Sequence, residues 1–337
     1  MDLYPLKFKT IYKDKIWGGT RIKDILGKDF SPLQNCGESW EISGIEGEVS
    51  EVINGFLEGN TLDELIEIYM GDLVGESVYE QFGLEFPLLI KFIDSNDWLS
   101  IQVHPNDDLA MKRHNSFGKN EMWYIMHAEK DAQIISGFNQ KLDKAKYLEH
   151  FNAGTLKEIL NFVPAHKGDV FDMPTGRVHA LGPGLCLAEI QQTSDITYRI
   201  YDWDRLDAEG KSRELHSELA VDAIDFSYLE KANVDYTAKL NANTNLVTNK
   251  YFKTSLLNFD LPIALDYSML DSFVIYICVE GEAIIQTGVA DVTIKLGETI
   301  LIPAMYNAVN LLPAKETKIL EVYIDSNLLT KGKIVEN

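Results

Sequence analysis

Basic residues are scarce in this chain, cysteines scarcer still, and long apolar runs are absent. Against 52 acidic residues it carries 31 lysines and arginines, a formal net charge of -21. That balance repels phosphate backbones and anionic membrane surfaces, so neither nucleic acid nor lipid is expected as a partner. An anionic small substrate would need a local cluster of basic residues inside a cleft. The three cysteines, Cys36, Cys186 and Cys278, lie far apart and outside any Cys-x-x-Cys spacing. Such usage suits reduced thiols in a cytoplasm rather than a disulfide framework. No stretch approaches the roughly 18 continuous apolar residues of a membrane span. The opening MDLYPLKFKTIYKDKIWGG mixes acids, a proline and lysines without an apolar core of signal-peptide length. No Gly/Ser-rich, Pro-rich or charge-run linker marks a boundary. The expectation is a soluble cytoplasmic protein that is compact throughout; its oligomeric state is not readable.

What is present is β-rich. Hydrophobic residues make up 45% and aromatics 10% of the 337 residues, enough to bury a full core in one large domain or two ordinary ones. Short runs rich in Val, Ile, Phe and Tyr predict strands at 86–93, 121–129, 131–138 and 272–281. Two stretches depart from this pattern. In 60–83, Leu62, Leu65, Ile66 and Tyr69 recur at helical spacing behind a Thr61/Glu64 capping box. Residues 140–163 predict two short helices broken near Gly154. Both read as helical insertions on a β scaffold.

The chain also repeats itself. YIMHAEKDAQIISG (124–137) aligns with YICVEGEAIIQTG (276–288), and downstream of each stands a Gly-acid-x4-Pro element, GDVFDMP (168–174) and GETILIP (297–303). Two related β units are predicted, spanning 1–240 and 241–337.

SIQVHPND (100–107) carries the first sign of chemistry. Side chains alternate faces along a strand, so Ser100, Gln102 and His104 share one face while Ile101 and Val103 share the other. Further on, GKNEMWYI presents Glu121 at the head of an apolar strand, and GDVFDMPTGRVHAL presents His179. In the second element Gly168 permits a tight turn, Pro174 is read as opening a strand, and Gly176 allows the bend that aims His179 inward. Two imidazoles, one carboxylate and an amide oxygen make a four-ligand set that leaves room for water or substrate, as a catalytic zinc requires. Aligning Tyr124 with Tyr276 and Pro174 with Pro303 places Phe273 opposite Glu121 and Ala308 opposite His179, so the second unit is expected to be metal-free.

These elements resemble the cupin motifs. Together with FPLLIKFIDSNDWLSIQVHPND (86–107), KDKIWGGTRI (13–22), GESWEIS (37–43), NGFLEGNTLDELI (54–66) and EIQQTSDITYRIYDW (189–203), they resemble the type I mannose-6-phosphate isomerases in their short bacterial form. The likeness covers most of the first 205 residues; beyond 240 only the general second-barrel pattern is shared. It implies a mainly β fold with two cupin (jelly-roll) barrels in tandem. It also implies one Zn2+ per chain and interconversion of mannose 6-phosphate and fructose 6-phosphate through an enediol. The family's zinc ligands fall on Gln102, His104, Glu121 and His179. Its active-site arginine falls on Arg199, its active-site lysine on Lys119, and its cleft residues on Trp17, Lys91, Ser100 and Glu189. Asn120 departs from the proline or threonine of some relatives.

Read one at a time, these residues keep alternatives. Lys91 either faces inward, supplying positive charge, or is an edge-strand lysine facing water. Lys119 either acts on substrate or merely opens a strand, and Arg199 among its aromatics is either an active-site cation or a packed structural charge. Glu189 is a buried acid with a raised pKa or a salt-bridge partner, and Trp17 walls the cleft or anchors the N-terminal segment. Glu189 and Lys119 both stand as candidate proton-transfer groups. The rival functions are another metal-dependent cupin enzyme, whether a sugar-phosphate isomerase or an iron oxygenase, and a non-catalytic sugar-binding cupin.

Overall fold

Alternating and doubly apolar runs fold into strands along the first two thirds of the chain. They are β1 (Ile11–Lys13), β2 (Glu38–Ile42), β3 (Leu88–Ser95), β4 (Ile101–Val103), β5 (Glu121–Ala128), β6 (Gln133–Phe138), β7 (Leu160–Pro164), β8 (Val170–Met173), β9 (His179–Leu181), β10 (Leu185–Gln192) and β11 (Tyr198–Tyr201). The remainder holds β12 (Ala242–Thr248), β13 (Lys253–Phe259), β14 (Ile263–Asp266), β15 (Val274–Glu280), β16 (Glu282–Gln286), β17 (Asp291–Lys295), β18 (Thr299–Ile302), β19 (Ala308–Pro313) and β20 (Thr317–Tyr323). The helices are α1 (Arg21–Asp24), α2 (Leu62–Val74), α3 (Glu76–Phe82), α4 (Asp107–His114), α5 (Lys144–Ala153) and α6 (Ser217–Ala223). The structure is a computed structural model and describes residues 3–206 and 210–329. Among these, no helix is long and apolar enough to cross a membrane.

The strands form four antiparallel sheets in two pairs. In the first unit a six-stranded sheet, β1-β2-β3-β10-β5-β8, faces a five-stranded one, β11-β4-β9-β6-β7. In the second, β12-β13-β20-β15-β18 faces β14-β19-β16-β17. Ile93, Trp123 and Ile125 from one sheet meet Ile134 and Leu181 from the other in the interior of the first unit. Leu257, Tyr276, Ile285 and Leu311 do the same in the second.

The outer faces are covered as well. α5 and α6 cover the five-stranded sheet through Tyr147 and Ala220, packed on Ile101, Val103 and Ile135. The back of the six-stranded sheet (Ile90, Met122, Tyr124, Ile190) packs against the back of the second unit's sheet (Leu256, Ile275, Leu320), with Leu65 and Leu73 of α2 in the same core. β3 and β10 are therefore buried at every position and read as continuous apolar runs rather than alternating ones.

Three expectations need correcting. The hydrogen bond from Gly168 N to Ile125 O has its counterpart in Gly297 N to Cys278 O, and Trp123 pairs with Phe171 as Tyr276 pairs with Ile300. Trp123, not Tyr124, is thus the counterpart of Tyr276, and Glu121 stands opposite Val274 rather than Phe273. A slip of one residue exchanges the two faces of a strand: Val274 lies in the interior core, while Phe273 lies between the units. Likewise Gly182 N bonds to Gln133 O as Ala314 N bonds to Glu282 O, which sets His179 against Leu311, a buried residue, and not against the exposed Ala308.

The second correction concerns 140–163. Its first helix forms and ends at Gly154 in the left-handed conformation, but its second is one 3-10 turn followed by strand β7. TLKEIL is too short to sustain a helix alone, and Leu160 and Phe162 find pairing partners along β6. Thirdly, Pro174 follows β8 instead of opening a strand. There it begins the turn in which Gly176, at φ +86, bonds through its N–H to His104 O at 3.0 Å.

Candidate active site

Pairing of β4 with β9 sets Gln102 directly beside His179. β5 delivers Glu121 from the opposite sheet, and the end of β4 delivers His104. The ligating atoms of His104, Glu121 and His179 lie within 4.8 Å of one another, all three residues buried. His104 Nδ1–H donates to Ile196 O at 2.8 Å, and His179 Nδ1–H donates to Arg177 O at 2.9 Å. These bonds fix both rings in the tautomer whose bare Nε2 points at Glu121, 3.4 and 3.6 Å from its oxygens.

Burial depresses the pKa of both imidazoles, that of His179 to about 3, so both are neutral, as metal ligation needs. Burial pushes the other way on Glu121, but the Lys119 ammonium beside it holds the carboxyl well below its usual range. Glu121 Oε2 is buried without a hydrogen-bond partner. A buried carboxylate with one orphaned oxygen and an imidazole Nε2 beside each of its two oxygens is a donor set for a divalent cation. Gln102 contacts His179 Nε2 through its amide nitrogen at 3.3 Å, and Ser100 Oγ donates to Gln102 Oε1 at 3.4 Å. A half-turn of that amide offers its oxygen instead.

Asn120 braces this corner. Its N–H and side-chain amide both donate to Gln192 Oε1, and its Oδ1 accepts from Thr175 N. The head of β5 is thereby tied to the turn that leads to His179.

Beside the cluster opens a cleft of about 240 Å³ whose walls include Trp17, Lys91, Ser100, Gln102, Lys119, His179, Glu189 and Arg199. Of the ten residues singled out from sequence, only His104 and Glu121 are absent from this lining, and both lie behind it in the cluster. Lys91 faces inward: it is 6% exposed, with Nζ 3.3 Å from Glu189 Oε1 and 3.8 Å from Glu38 Oε2. Its strand is central, between β2 and β10, so the lysine reaches the cleft and not an outer edge of the sheet. Glu189 is a salt-bridge partner and also a buried acid. Burial, then the Glu121 charge, raises its pKa against the pull of Lys91, while Trp123 Nε1 donates to its Oε2 at 2.8 Å. Lys119 is 5% exposed and paired with Glu121. Arg199, opposite Gln102 in the β4–β11 register, donates from Nη1 to Glu214 O, while its buried Nε has no partner. Its pKa is lowered by burial and by the neighbouring Arg213.

Sequence reasoning assigned no role to Lys15, Glu38, Trp40 or Arg213, which line the same cleft. KDKIW and GESWEIS carried the first three inside quoted motifs, with Glu38 and Trp40 on one strand face. Arg213 comes from a loop with no motif, where Asp202 holds it.

Known proteins resemble this chain over most of its length. Residues 5–122 match the phosphomannose isomerase type I catalytic domain, and 242–317 match the mannose-6-phosphate isomerase cupin domain. Mannose-6-phosphate isomerase ManA of Bacillus subtilis is 36% identical over 309 residues, 90% of this chain and 94% of that protein. The chain belongs to the type I phosphomannose isomerase family. A Streptococcus mutans mannose-6-phosphate isomerase is 33% identical over 89% of this chain and 92% of its own length. Among solved structures, the B. subtilis mannose 6-phosphate isomerase superposes with a TM-score of 0.85 at 31% identity, covering 96% of this chain and 100% of that one. A phosphomannose isomerase from Salmonella typhimurium, at 18% identity and a TM-score of 0.77, shares the fold.

Proposed function

We propose that the cleft interconverts mannose 6-phosphate and fructose 6-phosphate, with a zinc ion held by Gln102, His104, Glu121 and His179. The observation that carries this is the buried Glu121 carboxylate, its Oε2 orphaned beside His179 Nε2 and its Oε1 beside His104 Nε2, with both imidazole tautomers locked with Nε2 inward. A bound zinc would supply charge for the oxygen that becomes anionic as the carbonyl moves between C1 and C2.

The chain's own groups do the rest. Isomerisation passes a proton between C1 and C2 through an enediol, which needs a group able to take and return it. Glu189 is one candidate for that work, supported by a pKa raised by burial and by Glu121 and by an orientation fixed by Trp123 and Lys91. Lys119 is the other candidate, and its pairing with Glu121 ties up its charge. Arg199, with an unused Nε–H, and Arg213 form the cationic wall that receives the phosphate, where bidentate guanidinium contacts suit a dianion. Ser100 and Lys91 hold sugar hydroxyls, and Trp17 with Trp40 excludes water.

We read each pair of sheets as a jelly-roll barrel, with catalysis in residues 1–240 and a metal-free barrel in 241–337. Three buried free thiols suit residence in the cytoplasm. A coupled assay for fructose 6-phosphate formed from mannose 6-phosphate, with metal content measured on the same preparation, tests the reading. Turnover that rises with zinc content supports it; full turnover by metal-free protein overturns the metal role, and no turnover by zinc-loaded protein overturns the activity.

A further inference from the structure

The second unit has an open cavity of its own at the surface, of about 340 Å³, with Asn243, Leu265, Tyr267, Leu270, Glu321 and Tyr323 in its wall. Strand register identifies it as the internal counterpart of the catalytic cleft. Glu321 faces Tyr276 on β15 and Ser255 on β13, as Glu189 faces Trp123 on β5 and Lys91 on β3. Asn243 pairs with Leu257 as Glu38 pairs with Ile93. The carboxyl at the Glu189 position is therefore kept where the metal-ligand positions have become aliphatic.

Its surroundings have changed sign. Ser255 stands in place of Lys91 and Asn243 in place of Glu38. Glu321, 3% exposed, accepts from Tyr267 Oη at 2.5 Å and from Asn243 Nδ2 at 2.7 Å. Among the described residues no lysine or arginine lines it, whereas Asp266 and Asp325 do; Lys253 sits beside it, over the Tyr323 ring. A sugar phosphate would meet three carboxylates with Lys253, already set over the Tyr323 ring, as the neighbouring cation, an excess of like charge that disfavours it. A neutral sugar would meet what it needs: a carboxylate and an amide for hydroxyls, and tyrosine rings for its apolar face. A buried acid that served packing alone would be better replaced by an aliphatic residue of similar volume.

We propose that this cavity binds an unphosphorylated hexose at a site separate from the catalytic cleft. The test is titration of the full chain with D-mannose and with D-fructose, followed by ligand-observed saturation-transfer NMR, with and without saturating hexose 6-phosphate to fill the cleft. Saturable binding of at least one hexose should persist with the phosphate present. It should weaken about tenfold in Asn243→Leu, the loss expected when one hydrogen bond of about 1.4 kcal/mol is removed. Tyr323→Ala, at the half-buried rim, should weaken it in the same sense and serves if Asn243→Leu folds poorly. The proposal is overturned if neither hexose binds saturably, if hexose 6-phosphate abolishes the binding, or if the folded variants bind as the parent does.

Discussion

The two units share a strand order and differ in what they bury. Where the first places Gln102, His104, Glu121 and His179, the second places Ile263, Leu265, Val274 and Leu311 at the matching register positions. Of these, Val274 and Leu311 are fully interior and the other two pack against the same core. A sandwich of this topology closes well on aliphatic side chains, so the polar set of the first unit is not a requirement of the fold. Buried imidazoles and carboxylates cost stability unless partnered. The first unit bears that cost around the cleft, and the second bears it at Glu321 alone among the positions compared.

Matched alanine substitutions test this contrast most sharply. His179→Ala should lower kcat/KM by about 10³-fold, the scale of losing a ligand to a catalytic cation. Leu311→Ala, at the same register position of the second unit, should cost about 2–5 kcal/mol of stability through an unfilled cavity while turnover of the folded protein stays near the parent's. Steady-state kinetics and denaturant titration on both variants read the two effects. Equal loss of activity in both would mean that the units are not divided as described.

The converse exchange gives the next largest effect. Val274→Glu introduces the Glu121 carboxylate without Lys119 or the imidazoles, a buried unpaired charge worth about 3 kcal/mol of destabilisation at neutral pH. Burial raises the pKa of such a group, so the penalty should shrink as pH falls and the carboxyl is neutralised. A variant whose melting temperature, relative to the parent, shows no recovery on acidification would contradict an interior placement of Val274.

How much of this was legible in sequence follows from burial. The Ser100/Gln102/His104 alternation could be read because β4 carries polar groups on one face and Ile101 and Val103 on the other. The repeat was visible, but its register was not. β5 and β15 are apolar on both faces, since their backs pack between the units, and parity cannot be read from a run without contrast. Two tyrosines, Tyr124 and Tyr276, then offered an alignment one residue out. Arg213 was invisible for another reason: it reaches the cleft from a loop, through Asp202, and long-range contacts leave no local pattern. Lys91 could be assigned only once β3 was known to be central.

A smaller effect separates the roles of the cationic wall. Arg199→Lys keeps the charge and loses the fork, so KM for the sugar phosphate should rise about tenfold, with kcat falling less. A variant whose kcat falls while KM is unchanged would move Arg199 from holding the phosphate to stabilising the reacting carbons.

The least of the expected effects concerns Glu38, whose counterpart Asn243 cannot titrate. Burial alone would raise the Glu38 pKa, but Lys91 and Lys15 overcome it and bring the carboxyl from 4.5 down to about 2. Between those values the unfolded chain binds more protons at this residue than the folded one. The stability that Glu38 contributes is thus fully present above about pH 4.5 and is lost as pH falls toward 2. Glu38→Gln removes the titration, so melting temperature should fall less steeply with acidification across that window than in the parent. At pH 7 the variant should be the less stable of the two, because Lys91 keeps only Glu189 as a partner on that side. An Asn243→Asp exchange in the second unit has no lysine opposite it, Ser255 standing where Lys91 does, and sets a second carboxyl against Glu321; it should destabilise the protein near neutral pH and lose that penalty on acidification, the opposite slope to that of Glu38. If instead the parent and Glu38→Gln curves run parallel below pH 4.5, the ion pair with Lys91 is not what links this unit's stability to protons.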